Sequence, residues 1–234
     1  MKRTAVFILL LTFAAGLAHS QVLIALLFGD KLSSDKFELG IRLAGNWDNV
    51  TGWGDTKSRF DIGFGIYGTL KLSQKFSLQP ELLFKDPRGA DKAPADMFDN
   101  SNLESLLESA SVSAKLAYVS VPVLLKYYLT PTISLGFGPQ IGYLSSARKE
   151  YKAEVYAEDD LIFKEDIKST LNAWDFALAF NLEYRLPLKK AIHIGLRYYL
   201  GLTDIIKDNA GDSVKNSVIQ INLGIPVGHI SEDK

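Results

Sequence analysis

Alternation of apolar and polar residues dominates the chain from Phe37 onward. A period of two is typical of β-strands whose two faces meet different surroundings. The third stretch, for example, sets Phe76, Leu78, Leu82 and Phe84 against Ser77, Gln79, Glu81 and Lys85. The apolar sets of the eight stretches begin at Phe37, Phe60, Phe76, Val119, Ile133, Trp174, Ile192 and Ile219. The pattern predicts eight antiparallel strands between residues 37 and 228.

Which face of these strands points inward separates two kinds of closed barrel. A soluble lipocalin-like carrier buries its apolar set, whereas a membrane barrel turns that set toward lipid. Here the polar sets mix Gly and Ala with charges of both signs, which suits a narrow lumen filled by small residues and ion pairs. We therefore predict an all-β, eight-stranded antiparallel up-and-down transmembrane β-barrel. A soluble periplasmic carrier is the alternative.

The polar set of the predicted strands carries a balanced group of charges. Buried charges persist when they are paired, so we expect a structural ion network that plugs the lumen and leaves little open bore. The predicted members are Glu38, Arg42, Asp61, Glu81, Lys126, Asp175, Glu183, Arg185 and Arg197.

Aromatic residues of the apolar set gather at strand ends, as in the interfacial girdles of membrane barrels. The girdle at one rim is predicted to contain Phe37, Phe76, Tyr127 and Tyr184. The girdle at the other rim is predicted to contain Phe60, Phe84, Tyr143, Trp174 and Tyr198.

Connections between the predicted strands alternate between long and short. Short turns fall at 73–74, 130–131 and 187–189, and long loops at 47–59, 86–113, 146–173 and 203–214. Outer-membrane barrels have short periplasmic turns and longer outer loops. The outer loops 86–113 and 146–173 are the predicted surfaces for a protein partner. The first should carry a short helix from Ser101, and the second a charged hairpin with its tip at 158–160.

The first twenty residues have the features of a secretory signal peptide. Lys2 and Arg3 precede an apolar run from Ala5 to Leu17, and small residues flank His19 before Gln21. We predict a cleaved signal peptide at 1–20, a periplasmic segment at 21–36 and a C-terminal tail at 229–234. Because residues 22–28 are also apolar, an uncleaved helical anchor is the alternative. With export and a lipid-facing barrel, we predict that the protein lies in the outer membrane of a Gram-negative cell.

Composition narrows the range of functions. The chain has 26 basic and 27 acidic residues, so its net charge gives no reason to bind nucleic acid. It has no cysteine, and we predict no metal or cofactor site, although residues 208–212 superficially resemble a calcium loop. The mature histidines, His193 and His229, do not lie where a catalytic base is needed, and no catalytic residue is predicted. An outer-membrane barrel enzyme is the third alternative.

Three stretches together resemble the PorT-like outer-membrane β-barrel family. They are Tyr118–Leu129 (YVSVPVLLKYYL), Gly136–Leu144 (GFGPQIGYL) and Leu196–Asp204 (LRYYLGLTD). Phe37–Asn46 (FELGIRLAGN) is similar to the opening strand of that family. The resemblance, which covers about residues 37–228, implies an outer-membrane barrel. Some members of that family serve type IX secretion, so the resemblance also implies a role associated with secretion.

Overall fold

The structure, a computed structural model, describes residues 36–94, 110–156, 159–187, 192–208 and 211–227. Within these ranges, no helix has both the length and the apolar character needed to cross a membrane. Several predicted segments lie outside the described residues. They are the signal peptide, most of the 21–36 segment, the helix from Ser101, the first residue of the 158–160 hairpin tip and the C-terminal tail.

Nine strands and one short 3-10 turn make up the described chain. The strands are β1 (Phe37–Thr51), β2 (Arg59–Lys71), β3 (Phe76–Asp91), β4 (Ser111–Tyr128), β5 (Ile133–Tyr156), β6 (Asp159–Asp166), β7 (Trp174–Arg185), β8 (His193–Gly201) and β9 (Lys215–Val227). The 3-10 turn spans Lys168–Thr170. Eight strands form an antiparallel ring in the order β4-β3-β2-β1-β9-β8-β7-β5, which pairing of β4 with β5 closes. The predicted eight-stranded barrel is confirmed.

The apolar set of each strand lies on the outside of this ring. Along β7, Phe176 and Phe180 are each 44% exposed, whereas the neighbouring Asp175, on the other face of the strand, is 1% exposed. A water-soluble barrel would show the reverse, because it must bury its apolar set. The alternative of a soluble carrier is therefore wrong, and the exposed apolar belt matches a hydrocarbon surrounding.

The strands are longer than predicted at the end of the barrel where the long connections lie. β3 continues to Asp91 and β4 begins at Ser111, so the predicted loop 86–113 is shorter than its predicted bounds. Most of the predicted loop 146–173 is also strand, because β5 runs to Tyr156 and pairs with the additional strand β6. We call the end of the barrel where the long connections lie the loop end. We call the opposite end, where both termini of the barrel and the short connections lie, the turn end.

A break in the pairing of β3 with β4, between Leu83 and Asp86, changes which side chains of β3 face inward. Before it, odd-numbered residues such as Leu83 are buried; after it, Asp86 and Arg88 are buried, each 1% exposed. Lys85, predicted on the polar inward face, is exposed on the outside. A bulge adds one residue to a strand, and a strict period of two cannot represent that shift.

Candidate functional site

The lumen of the barrel is filled by side chains, and Glu81 lies at its centre. Arg197 makes two hydrogen bonds of 2.7 Å to the two carboxylate oxygens of Glu81. Arg42 Nη2 donates to Glu81 Oε1 at 2.9 Å, and Gln79 Nε2 donates to the same oxygen at 2.6 Å. The side chains of Glu81 and Arg197 are both 0% exposed. The carboxylate thus joins three strands across the lumen.

A second carboxylate, Glu183, continues the network toward the turn end. Lys126 donates to Glu183 Oε1, and Arg42 Nη1 lies 3.3 Å from Glu183 Oε2. His193 Nδ1 lies 3.0 Å from Glu183 Oε1, and His193 Nε2 lies 3.1 Å from Glu38 Oε1. This part of the lumen, the Glu81 network, holds three cations (Arg42, Lys126, Arg197) and three carboxylates (Glu38, Glu81, Glu183). Its formal charges therefore cancel without His193.

A separate buried cluster lies nearer the loop end and is centred on Arg88, which sequence reasoning missed. Arg88 donates to Asp86 Oδ2 at 2.7 Å and also to Asp175. Ser120 donates to Asp86 at 2.6 Å, and Asn216 donates to Asp175 at 3.0 Å. Asp175 is thus in the lumen, yet its partner Arg88 comes from a segment that was predicted to be loop. The β3 bulge explains the omission, because it reverses the inward register.

Two predicted network members are less buried than these groups: Asp61 lies apart from them, and Arg185 lies at the edge of the Glu81 network. Asp61, with its side chain 26% exposed, pairs with Arg59 at 2.5 Å near the start of β2. It belongs to a partly exposed group in which Arg59 also contacts Asp91 at 3.4 Å. Arg185 is half-buried at the turn end, where it lines a small cavity of about 30 Å³ with Glu38, Glu183 and His193.

The loop end of the lumen is apolar, which was not predicted. Ile205, 0% exposed, packs in a buried cluster whose members are Val50, Ala90, Leu116, Tyr118, Leu144, Ala147, Ile167, Leu171 and Val214. Leu171 and Ile206 form an isolated β-bridge, and Asn172 N donates to Ile205 O at 2.8 Å. The segments after β6 and after β8 therefore fold inward and close the barrel mouth with an apolar plug. The apolar residues Ile167, Leu171, Ile205 and Ile206, which stand in otherwise polar loops, were the sequence signal for it.

All nine predicted girdle aromatics lie on the outward face. Two of their contacts join neighbouring strands near opposite ends: Phe76 and Tyr127 have ring centroids 5.1 Å apart near the turn end, as do Tyr143 and Trp174 toward the loop end. Trp47, predicted to lie in a loop, is on the outer face of β1, 4.9 Å from the ring of Phe60. Phe37 and Tyr184 face outward at the ends of β1 and β7. Phe84 and Tyr198 also face outward but lie in the interior of β3 and β8, not at the strand ends where they were predicted.

Beyond the outer aromatics, the loop-end parts of β4, β5 and β6 continue the sheet as an extension, defined by residues 111–117, 146–156 and 159–166. A cluster of Ala114, Tyr151 and Ala153, with Phe163 packed against it, gives the extension its own apolar centre. Lys115 on β4 forms an ion pair with Glu150 on β5. Partial burial opposes ionisation of Glu150, but the hydrogen bond and charge of Lys115 outweigh it and lower the pKa of this carboxyl.

The chemistry available in the described residues is that of packing and ion pairing. No cluster of three or more His, Cys, Asp or Glu side chains in these ranges could hold a metal ion. His193, the one histidine that the structure describes, faces two carboxylates inside the lumen at the turn end.

The chain matches one family model and is similar to several solved structures. The family model described as outer membrane protein beta-barrel domain matches residues 28–207. Among solved structures, the chain is similar to Ail, the attachment invasion locus protein of Yersinia pestis (12% identity, TM-score 0.42, 83% of this chain and 99% of that chain). It is also similar to Neisserial surface protein A (11% identity, TM-score 0.41, 81% and 96%) and to OprG from Pseudomonas aeruginosa (13% identity, TM-score 0.34, 81% and 91%). No curated protein matches the sequence significantly.

Proposed function

Since the chain belongs to the outer membrane protein beta-barrel domain family and resides in the outer membrane, we propose that it is a non-catalytic, closed barrel that anchors a recognition surface. That surface is the extension of β4, β5 and β6. In this proposal the barrel wall is set in lipid, the lumen is a structural plug, and the extension contacts another component of the envelope. The PorT-like stretches Tyr118–Leu129 and Gly136–Leu144 support a component associated with secretion as the partner.

The observation that supports the proposal is that buried side chains occupy the lumen at two levels, one polar and one apolar. Near the turn end, Arg42, Arg197 and Lys126 cross the lumen to reach Glu81 and Glu183. Near the loop end, the apolar plug around Ile205 fills the mouth. An eight-stranded ring has a narrow interior, so side chains of this size leave no continuous path for ions or solutes. Transport through the barrel is therefore a poor explanation of its role.

A non-catalytic role is supported by the way the titratable side chains are used. Glu81 and Glu183 are buried and engaged by cations, so neither is available to a substrate. A general base must reach a substrate proton, and His193 lies inside the closed lumen. The extension, by contrast, offers exposed backbone and side chains at the end of the molecule farthest from the short turns.

The orientation proposed here places the turn end in the periplasm and the extension outside the cell. Short connections such as Ser73–Lys75 and Thr130–Thr132 all lie at the turn end, while the extended strands lie at the other. Outer-membrane barrels expose short turns to the periplasm and long segments to the exterior.

Closure is tested by reconstituting the purified protein in planar bilayers. We expect no stepwise conductance, while a porin in the same bilayers gives clear steps. Reproducible single-channel steps from the purified barrel would contradict the plugged lumen.

Orientation is tested with introduced thiols, which are unambiguous because the chain has no cysteine. Lys164→Cys lies on β6 and Ser73→Cys in the β2–β3 turn, and both positions are exposed. A membrane-impermeant maleimide should label only Lys164→Cys in intact cells and both variants after permeabilisation. Labelling of Ser73→Cys alone in intact cells would reverse the orientation.

A further inference from the structure

A concave basin of about 650 Å³ opens at the turn end of the barrel. It lies between the β2–β3 turn and the β4–β5 turn, and Lys36, Lys71, Lys75 and Arg185 contribute to its lining. Its volume is within the range of pockets that hold a small ligand. Leu72 and Leu129, 56% and 53% exposed, also line it, so the basin combines cations with exposed apolar side chains.

The basin carries four cationic side chains and no acidic one among its lining residues. Within the described ranges, Lys36, Lys71 and Lys75 have no carboxylate at ion-pair distance. The nearest acidic groups line the deeper small cavity, where Glu183 is engaged by Lys126 and Glu38 by His193. Among the described residues, the lysines of the basin therefore give it an excess of positive charge, which complements an anion such as a phosphate group.

An apolar groove of about 580 Å³ runs along the outer wall immediately beside this basin. Its lining includes Phe76 and Tyr127 at the turn end, and it continues along Leu135, Phe137, Phe180 and Leu196. These side chains face the hydrocarbon layer in a membrane barrel. An acyl chain lying in this groove would contact the carbon atoms of these side chains along its length.

The basin and the groove meet at two pairs of consecutive residues, one at the start of β3 and one at the end of β4. Lys75 lines the basin and Phe76 the groove; Tyr128 lines the basin and Tyr127 the groove. Side chains of successive strand residues point to opposite faces, so Tyr127 faces the groove on the outer wall and Tyr128 faces the basin over the lumen mouth. The basin and the groove therefore meet over the rim of the barrel, where they form one amphipathic site at the boundary between water and hydrocarbon.

We propose that this site binds one anionic phospholipid, with its phosphate among the lysines of the basin and an acyl chain in the groove. The assignment of this lipid to the periplasmic leaflet rests on the proposed function, because it uses the proposed orientation. The binding chemistry itself does not, since it depends on charge and shape at the turn end. A lipid held here would tie the two turns to the membrane surface.

The test uses the full-length mature barrel, purified in a non-ionic detergent and titrated with phosphatidylglycerol or phosphatidylcholine while native mass spectrometry counts bound lipid. We expect one phosphatidylglycerol to bind preferentially. The double substitution Lys71→Gln and Lys75→Gln should weaken that binding by about fivefold per lysine, the effect of one basic residue near an anionic surface. Both lysines are exposed, so the variant should fold, as gel mobility before and after boiling will verify.

Lys164→Gln is the matched control, because it removes one exposed lysine from the extension at the opposite end. It should leave lipid binding unchanged. Phe137→Ala removes an aromatic ring that an acyl chain in the groove would contact. It should therefore weaken binding of long-chain phosphatidylglycerol more than binding of the dihexanoyl form, whose chains are short. Competition with inorganic phosphate distinguishes a headgroup site from a free-phosphate site.

Three results would overturn the proposal. Equal binding of phosphatidylcholine and phosphatidylglycerol would show that the basin charges do not select the ligand. Displacement of the lipid by millimolar phosphate would make free phosphate the ligand, and an unchanged affinity in the double lysine variant would place the lipid elsewhere. None of these outcomes bears on closure or orientation, which bilayer conductance and thiol labelling test separately.

Discussion

Replacement of Glu81 by glutamine tests the Glu81 network most directly. The substitution keeps the shape of the side chain but removes the charge that accepts two bonds of 2.7 Å from Arg197 and one of 2.9 Å from Arg42. Both arginines remain at 1% exposure or less, so water cannot replace the lost carboxylate. Removing one partner of a buried ion pair costs about 3–5 kcal/mol, and we expect a loss of unfolding free energy in that range.

The assay is urea unfolding of the barrel in lipid vesicles, followed by the fluorescence of its three tryptophans. Glu150→Gln is the matched control, because Glu150 pairs with Lys115 in the extension, where their side chains are 18% and 31% exposed. This pair is partly open to solvent, and ion pairs near the surface contribute about 1 kcal/mol or less, so this variant should unfold close to the wild-type midpoint.

Adding Arg197→Gln to Glu81→Gln restores the balance of charge in the network. We expect the double variant to lose less free energy than the sum of the two single variants, by about 1–3 kcal/mol, as for residues in direct contact. If Glu81→Gln and Glu150→Gln shift the midpoint equally, or if the two lumen substitutions are additive, the network does not hold the strands together as described.

Three further predictions concern the wall of the barrel. The folded protein should migrate differently on gels before and after boiling, because the closed ring has no free edge at which detergent can begin unfolding; identical migration would argue against closure by β4 and β5. Leu178 faces lipid, so Leu178→Arg should destabilise the folded barrel by about 2–4 kcal/mol and lower its refolding yield. Ala179→Ser, on the lumen side, should have a smaller effect, and the reverse order would mean that the faces are misassigned. Gly54→Ala should cost about 1 kcal/mol, since Gly54 has φ +74° in open space, and Gly89→Ala should cost more, because at φ +131° its new Cβ would lie 2.0 Å from Ala114 O; equal unfolding midpoints would contradict this.

Where the strands keep a strict period of two, the sequence was sufficient to predict their faces. In β7 every residue from Trp174 to Glu183 alternates between exposed and buried sides as expected, because nothing interrupts its pairing with β5 and β8. Leu124, an apolar residue that falls in the polar register of β4, lies inside the barrel, where it is 0% exposed. Side-chain alternation is a local property, so a local pattern is enough to reveal it.

Features that depend on distant parts of the chain were not predictable in this way. The alternation of apolar and polar residues breaks at the β3 bulge, so the predicted strand ended there and Arg88 was assigned to a loop. Its partner Asp175 lies 87 residues away along the chain. Ile205 and Leu171 looked like residues of polar loops, and only the folding of two loops into the barrel mouth makes them core residues. The pairing of charges in the lumen likewise depends on which strands face one another across the ring, which alternation does not specify.

Unequal strand length gives this barrel a tall side and a low side. β5 has 24 residues, whereas β8 has 9. From Tyr143 to Tyr156, β5 rises by 13 residues, or about 43 Å along a strand and about 33 Å in height at the usual tilt. The molecule therefore has a front and a back in the plane of the membrane. A neighbour that bound the extension, as proposed, would have to approach the barrel from its tall side, so rotational diffusion about the membrane normal would affect how fast contact is made.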